Sequence, residues 1–86
     1  MEIYICGREA FGNEEDAIYA AVESNMDYLY RDAKRWYDKG GTDLFYDSIT
    51  KEFDDRILVN SILILNMDGD YITLEHRSSI DKITLK

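Results

Sequence analysis

Proline is absent from this chain of 86 residues, glycine occurs five times, and cysteine and histidine occur once each. So little proline and glycine argues against long disordered linkers. The single cysteine, Cys6, excludes an intramolecular disulfide and fits a reducing compartment. The longest aliphatic run, residues 62–65, is far too short to span a bilayer, and the N-terminus does not resemble a signal peptide. We therefore predict a cytoplasmic protein with no membrane partner.

Basic residues are also scarce: 10 Lys and Arg stand against 18 Asp and Glu, for a net charge of −8. Because phosphate binding needs Lys and Arg, this balance argues against direct contact with nucleic acid and is compatible with a basic protein partner. The alternative is that acidity serves solubility alone. All of the excess charge falls in residues 1–55, since residues 56–86 contain four acidic and four basic residues.

The length predicts one domain over residues 1–86. With 45% apolar residues, such a chain can bury a modest core but has little room for a deep substrate cavity as well.

The first half of the chain predicts a strand and a long helix. Residues 2–6 are rich in β-formers and predict a strand, followed by a loop over residues 7–12. Asn13 is a candidate N-cap, with three acids in the first turn. The helix can continue to Lys39, where Gly40-Gly41 would end it, although two shorter helices that meet at Ser24-Asn25 remain possible.

Residues after Gly41 predict a second, short helix. Thr42 can cap it, and Phe45, Ile49 and Phe53 recur every four residues and would face the core. The alternative is an extended segment over residues 44–46.

Asp68-Gly69 lies between two β-rich runs, which is the strongest short-range signal for a hairpin. A two-residue turn would pair Leu65 with Ile72, and residues 80–85 could add an edge strand. The predicted fold class is α+β, an antiparallel sheet of three or four strands with one long and one short helix packed on one face. Ile62, Ile64 and Tyr71 would lie on the other face, which predicts a possible homodimer.

Residues that commonly carry catalysis are few. His76 falls opposite Ser61 in the predicted hairpin, which favours a structural role. Cys6 lies in a predicted strand, where a buried inert thiol is usual, although a pairing of Cys6 with His76 in space stays open. The Asp68-Gly69-Asp70 turn lacks the further ligands of a calcium loop, and there is no phosphate-binding glycine loop. We therefore predict a protein that is not an enzyme and has no cofactor or metal.

The acidic face of the long helix is the main candidate site. Glu23 and Asp27 are separated by about 6 Å along a helix axis, and carboxylates at such intervals can replace backbone phosphates in binding Arg and Lys. An ordinary solvated helix face is the alternative, since Arg31, Lys34 and Arg35 lie on the same helix. The candidate partner-binding residues are the acids Asp16, Glu23, Asp27 and Asp38 and a flank of tyrosines, Tyr19, Tyr30 and Tyr37.

Residues 16–44, DAIYAAVESNMDYLYRDAKRWYDKGGTDL, resemble part of the Ocr-type antirestriction proteins of tailed phages. The matching pattern is Asp-Ala-Ile, an Ala three residues later, an acid, Tyr-x-Asp, and Gly-x-Asp-Leu. Proteins of that family imitate DNA and occupy the DNA groove of type I restriction enzymes. The resemblance implies that Glu23, Asp32 and Asp43 are phosphate-mimicking acids. The family is essentially helical and more acidic, whereas this sequence has a hairpin and a neutral C-terminal third.

These observations predict an acidic inhibitor, of phage or mobile-element origin, acting in the host cytoplasm. It would bind the basic DNA-binding cleft of a host defence protein, a restriction enzyme or a CRISPR effector, by DNA mimicry. The alternative is a non-mimic interaction module, such as an immunity protein for a basic toxin or a small regulatory subunit. In that case the tyrosine flank is the expected contact surface, because tyrosine is enriched at interface hot spots.

Overall fold

The computed structural model describes residues 1–85, which form a five-stranded antiparallel sheet and one long helix. The strands lie in the order β2-β1-β5-β4-β3. The predicted α+β arrangement of three or four strands with two helices is wrong, because these residues form five strands and one helix. The elements are β1 (Glu2–Cys6), β2 (Glu9–Phe11), α1 (Glu14–Tyr37), β3 (Thr42–Glu52), β4 (Arg56–Met67) and β5 (Asp70–Thr84).

Helix α1 is continuous, so the possible break at Ser24-Asn25 does not occur. It begins as predicted, because the Asn13 side chain accepts a hydrogen bond from the backbone N–H of Asp16 at 2.9 Å. It ends at Tyr37, two residues before the predicted end. The backbone N–H of Gly41 then donates to the carbonyl of Trp36 at 2.9 Å, which closes the last turn.

The β4–β5 hairpin has the predicted register, with Leu65 opposite Ile72. Asp68 and Gly69 both have positive φ, at 50° and 92°, as a two-residue hairpin turn requires. Strand β5 then continues without interruption to Thr84. The prediction of a separate edge strand over residues 80–85 is therefore wrong, because residues 80–84 are the last part of β5.

The second helix predicted after Gly41 is also wrong, because residues Thr42–Glu52 form strand β3. A spacing of four residues is close to one helical turn but is also two strand repeats, so Phe45 and Ile49 share a face in either structure. The β-branched and aromatic content of the segment favours the strand. As a result Phe45 and Ile49 lie on the sheet face turned away from α1, and they are 50% and 59% exposed.

The N-terminal hairpin supplies the fifth strand. β1 has the predicted bounds and pairs with the end of β5. The predicted loop over residues 7–12 contains β2, which has only three residues and pairs with β1. Since three residues carry almost no periodic pattern, this strand had no sequence signal of its own.

The core lies between α1 and one face of the sheet, and it has two apolar clusters. One surrounds Ala17, Ile57 and Ile80, and the other surrounds Leu29, Leu63 and Leu65. Within residues 1–85, no helix is both long enough and apolar enough to cross a membrane.

A buried polar chain separates these two clusters. The Asn25 amide donates to the Val59 carbonyl and to Ser61 Oγ, each at 3.0 Å, and accepts a hydrogen bond from Ser78 Oγ. Ser61 Oγ in turn lies 2.7 Å from Ser48 Oγ. Because these buried groups satisfy one another, they define where the midpoint of α1 sits on the sheet.

The molecule is long and thin, with extents of 55 × 20 × 14 Å and a radius of gyration of 15.4 Å. A compact domain of this length would have a radius of gyration of about 12 Å. The single helix lies along the long strands and covers one face only, which leaves much of the surface available for contacts.

Candidate protein-interaction surface

A groove of about 500 Å³ runs between β2 and the first half of α1. Its wall contains carboxylates from both elements and no basic residue. It is lined by Glu9, Phe11, Asp16, Tyr19, Ala20, Glu23, Ser24 and Asp27. We call this surface the acidic groove.

The helix positions three of the four groove carboxylates. Asp16 is in the first turn, and its side chain also accepts a hydrogen bond from the Asn13 amide at 3.0 Å. Glu23 follows about 10 Å further along the axis, and Asp27 about 6 Å beyond Glu23. An acid in the first turn interacts favourably with the positive end of the helix dipole. The residues that begin the helix thus also supply part of the negative surface.

Glu9 is the fourth carboxylate of the groove, and sequence reasoning did not single it out. It lies in β2, opposite Cys6 of β1, and the sheet brings this strand beside the helix. A recognisable β1–β2 hairpin would have been needed to place Glu9 there. A glycine at position 7 does not by itself predict a hairpin, although in the structure Gly7 is the turn residue, with φ of 63°.

The groove belongs to a strongly negative end of the molecule, the half that contains the N-terminus of α1 and the ends of β1, β3, β4 and β5. Among the described residues, eleven acidic and four basic residues lie in this half, an excess of seven negative charges. They are Glu2, Glu9, Glu14, Glu15, Asp16, Glu23, Asp27, Glu52, Asp54, Asp55 and Asp81, with Arg8, Lys51, Arg56 and Lys82. Because the excess is concentrated, a basic partner would be attracted to this end first.

One ion pair at the acidic end shows how crowded its carboxylates are. Lys82 Nζ lies 2.8 Å from Glu52 Oε1, and this contact lowers the pKa of Glu52 and raises that of Lys82. Burial and then the neighbouring Glu52 carboxylate raise the pKa of Glu14. Tyr4 is also affected, because its hydrogen bond to Glu2, with burial, raises its pKa to about 12.

The predicted tyrosine flank is not a single surface. The buried residues of α1 recur at every fourth position, and each step of four moves the buried line about 40° around the helix. Tyr19, Tyr30 and Tyr37 keep nearly the same angular position. The line of buried residues therefore comes closer to the tyrosines toward the C-terminal end of the helix. Tyr19 is accordingly 72% exposed, Tyr30 36%, and Tyr37 half-buried. The buried positions are Ala17, Ala21, Asn25, Leu29 and Ala33.

Tyr30 and Tyr37 instead form an aromatic cluster at the other end of the molecule. Their rings stack with a centroid distance of 6.4 Å, and Tyr30 also stacks on Tyr46 at 6.3 Å. The Tyr37 hydroxyl donates a hydrogen bond to the Asp43 carboxylate, and burial together with this bond raises the pKa of Tyr37. Asp43 is therefore an acceptor inside this cluster, about three helical turns from Asp27 of the groove.

The two remaining predicted acids do not join the groove. Asp38 forms an ion pair with Lys34 at 3.3 Å. Asp32 is exposed and lies about 140° around the helix from Asp27, on the flank of Tyr28. The structure therefore brings Asp16, Tyr19, Glu23 and Asp27 together and separates the other five predicted residues from them.

The second half of α1 has a mixed surface. Arg31 lies over the Tyr28 ring at 5.5 Å and Arg35 over the Trp36 ring at 5.1 Å, both measured to the ring centroid. Together with the Lys34–Asp38 pair, these cations balance the acids of this segment. Only the first half of the helix presents a uniformly negative surface.

Cys6 and His76 do not meet. Cys6 pairs with Ile80 across β1 and β5, and His76 is four residues further along β5, about 13 Å away. His76 stacks on Tyr28 at 4.4 Å, and burial raises the pKa of the Cys6 thiol, which keeps it protonated. Within residues 1–85, no group of three or more His, Cys, Asp or Glu side chains is arranged to hold a metal.

No protein-family model, curated protein or solved structure matches this chain. The resemblance of residues 16–44 to Ocr-type antirestriction proteins is carried by the sequence motif alone.

Proposed function

We propose that this protein is an acidic inhibitor, of phage or mobile-element origin, that binds the basic DNA-binding cleft of a host defence enzyme by DNA mimicry. The observation that carries the proposal is the acidic groove, where four carboxylates line one surface without a basic residue. Carboxylates and phosphates both present anionic oxygens to Arg and Lys. A cleft built to hold a phosphate backbone would therefore also attract the acidic end of this molecule.

The same proposal assigns unequal roles to the acids. Glu9, Glu23 and Asp27 are the main phosphate substitutes, because their carboxylates line the groove. Asp38 and Asp43 already bond to Lys34 and Tyr37, so a partner would have to displace those contacts. Asp16 contributes charge while it also bonds to Asn13.

The proposed role is binding rather than catalysis, in the cytoplasm of the host, where restriction enzymes and CRISPR effectors meet DNA. Direct binding of nucleic acid is not part of it, because a net charge of −8 opposes contact with phosphates. The partner is the defence enzyme itself.

The test is DNA-cleavage inhibition with a purified type I restriction enzyme and a purified CRISPR effector. We expect inhibition of one of them, competition by duplex DNA that carries its target site, and weaker binding as salt rises. Glu23→Gln with Asp27→Asn should weaken inhibition about tenfold, since each exposed ion pair contributes about 0–1 kcal/mol. Asp68→Asn with Asp70→Asn removes the same charge at the hairpin turn and should have little effect.

Equal effects of the two double variants would show that net charge alone matters and would contradict a specific groove. Simultaneous binding of DNA and this protein to the enzyme would contradict mimicry.

The second candidate function is a non-mimic module, such as an immunity protein for a basic toxin or a small regulatory subunit. It is favoured by Phe11 and the exposed Tyr19 in the groove, since a concave surface with aromatic walls suits an inserted Arg or Lys side chain. Under this alternative, the groove variants would still weaken binding, but DNA would not compete for the partner.

A further inference from the structure

The face of the sheet turned away from α1 is not covered by any element of residues 1–85. Apolar side chains from β3 and β4 form its centre, and Phe45 lies directly beside Ile64 in the ladder. Ile62 and Ile64 are half-buried, Phe45 and Ile49 are 50% and 59% exposed, and Tyr71 on β5 is 66% exposed. We call this surface the open face. Exposed apolar patches are a common feature of interaction sites.

The charge of the open face differs from that of the rest of the molecule. Within the strands it carries three acids and three bases, which balance in a chain of net charge −8. The charged residues are Asp47, Lys51, Arg56, Glu75, Arg77 and Asp81. Because two copies of an acidic chain repel each other, they can approach closely only through a surface without excess negative charge. The open face is such a surface.

The area of the open face is also sufficient. β4 has 12 residues, and three strands of about 40 Å length at ~4.8 Å spacing cover roughly 600 Å² in flat projection. The pleated side chains add to this value, and β1 adds Ile3 and Ile5 at one end. A stable interface buries about 800 Å² on each partner.

We propose that the open face binds a second copy of this chain, face to face, as a two-layer sandwich of sheets with the helices outside. The two apolar centres then bury each other, as the inner faces of sandwiches do, and a two-fold axis makes one patch serve both partners. This proposal is independent of the proposed inhibitory function, since the acidic groove lies on the opposite side of the sheet.

The other arrangement for a second copy is pairing through the free edge of β3. That edge has a register shift between Asp43 and Phe45, where Leu44 is the extra residue, and it carries Lys51. Bulges and lysines are features that oppose edge-to-edge pairing. Edge pairing also buries little of the apolar centre, so it is kept as an outcome of the test.

Sedimentation equilibrium of the intact protein tests the proposal. We expect a concentration-dependent dimer whose Kd falls as salt rises from about 50 mM to about 500 mM, because screening reduces repulsion between the copies. Ile49→Lys should raise the Kd at least about tenfold, since it would bury a charge in the apolar centre. Thr50→Lys is the matched control: it makes the same charge change one residue away, on the other face of β3, and should leave the Kd within about twofold.

A wild-type protein that stays monomeric at about 1 mM in high salt would overturn the proposal. Equal weakening by the two variants would also overturn it and would indicate pairing through the β3 edge, to which both residues belong. Circular dichroism verifies that both variants are folded, as is expected for substitutions at exposed positions.

Discussion

Asn25 is a fully buried polar residue in the middle of the helix, at a position where an apolar side chain would be usual. Its amide group bonds to Val59 and Ser61 of β4 and to Ser78 of β5, so one side chain links α1 to both strands. The sequence offered Ser24-Asn25 only as a weak point of the helix. Its role depends on serines that lie more than thirty residues away in the chain, which no local pattern reveals.

Asn25→Ala should destabilise the fold by about 2–3 kcal/mol, because it leaves buried partners unsatisfied and opens a small cavity. Urea unfolding followed by circular dichroism measures the loss. Ser24→Ala, at the neighbouring half-buried position, is the control and should cost less than about 1 kcal/mol. Equal losses for the two variants would argue against a special role for the polar chain.

Ionisation of Tyr4, at the acidic end, makes the free energy of unfolding depend on pH. Its pKa is raised to about 12 by Glu2 and by burial, whereas tyrosine in an unfolded chain has a pKa of about 10. Between these values the unfolded state releases a proton that the folded state retains, so stability falls as pH rises through this window.

Tyr4→Phe should therefore flatten the decline of the unfolding free energy above about pH 10, with no change of slope near pH 7. Denaturant titrations at several pH values measure the slope. Tyr19→Phe, at an exposed site on the helix, is the control. If wild type and Tyr4→Phe lose stability in parallel above pH 10, the assigned pKa is wrong.

Among the elements, the helix and the β4–β5 hairpin could be predicted because their signals are local. An N-cap with acids after it defines the start of α1, and Asp68-Gly69 defines the hairpin turn and its register. The pattern in β3 did not distinguish helix from strand, because a repeat of four residues is compatible with both. β2 is too short for a pattern, and the length of β5 is set by its partners β1 and β4.

The junction between α1 and β3 depends on a glycine with little space around it. A Cβ added at Gly41 would lie 2.6 Å from Met67 Sδ and 2.9 Å from the Trp36 carbonyl oxygen. The Met67 side chain can move aside, but the backbone oxygen at the end of the helix cannot do so without a shift of the last turn.

Gly41→Ala should destabilise the protein by about 1–3 kcal/mol as an overpacked site. Gly12→Ala is the matched control, because a Cβ there meets open space and the backbone φ is not in the left-handed region. Thermal unfolding of the two variants provides the comparison. A Gly41→Ala protein as stable as Gly12→Ala would show that the helix end yields more easily than the contacts suggest.

For the whole molecule, the sequence located the excess charge in residues 1–55 but not its concentration at one end. The charge is concentrated because the sheet places β2 and the end of β3 beside the N-terminal half of α1. Four of the nine predicted site residues lie in the acidic groove, all within residues 16–27 of α1. The others differ because the line of buried residues winds around α1, because the second half of the helix carries cations, and because Asp43 lies on β3, where it bonds to Tyr37.

The two proposed surfaces lie on opposite sides of one thin sheet, so binding to each should be separable. Ile49→Lys should weaken self-association while inhibition per chain stays within about twofold of wild type, because the acidic groove is untouched. Glu23→Gln with Asp27→Asn should weaken inhibition, and its dimer Kd should be unchanged or lower, since two negative charges per copy are removed. Sedimentation equilibrium and cleavage inhibition, measured on both variants, provide the four values. If either variant impairs both properties while it remains folded, the surfaces overlap or dimerisation is required for inhibition, and the assignment of one role to each face would be wrong.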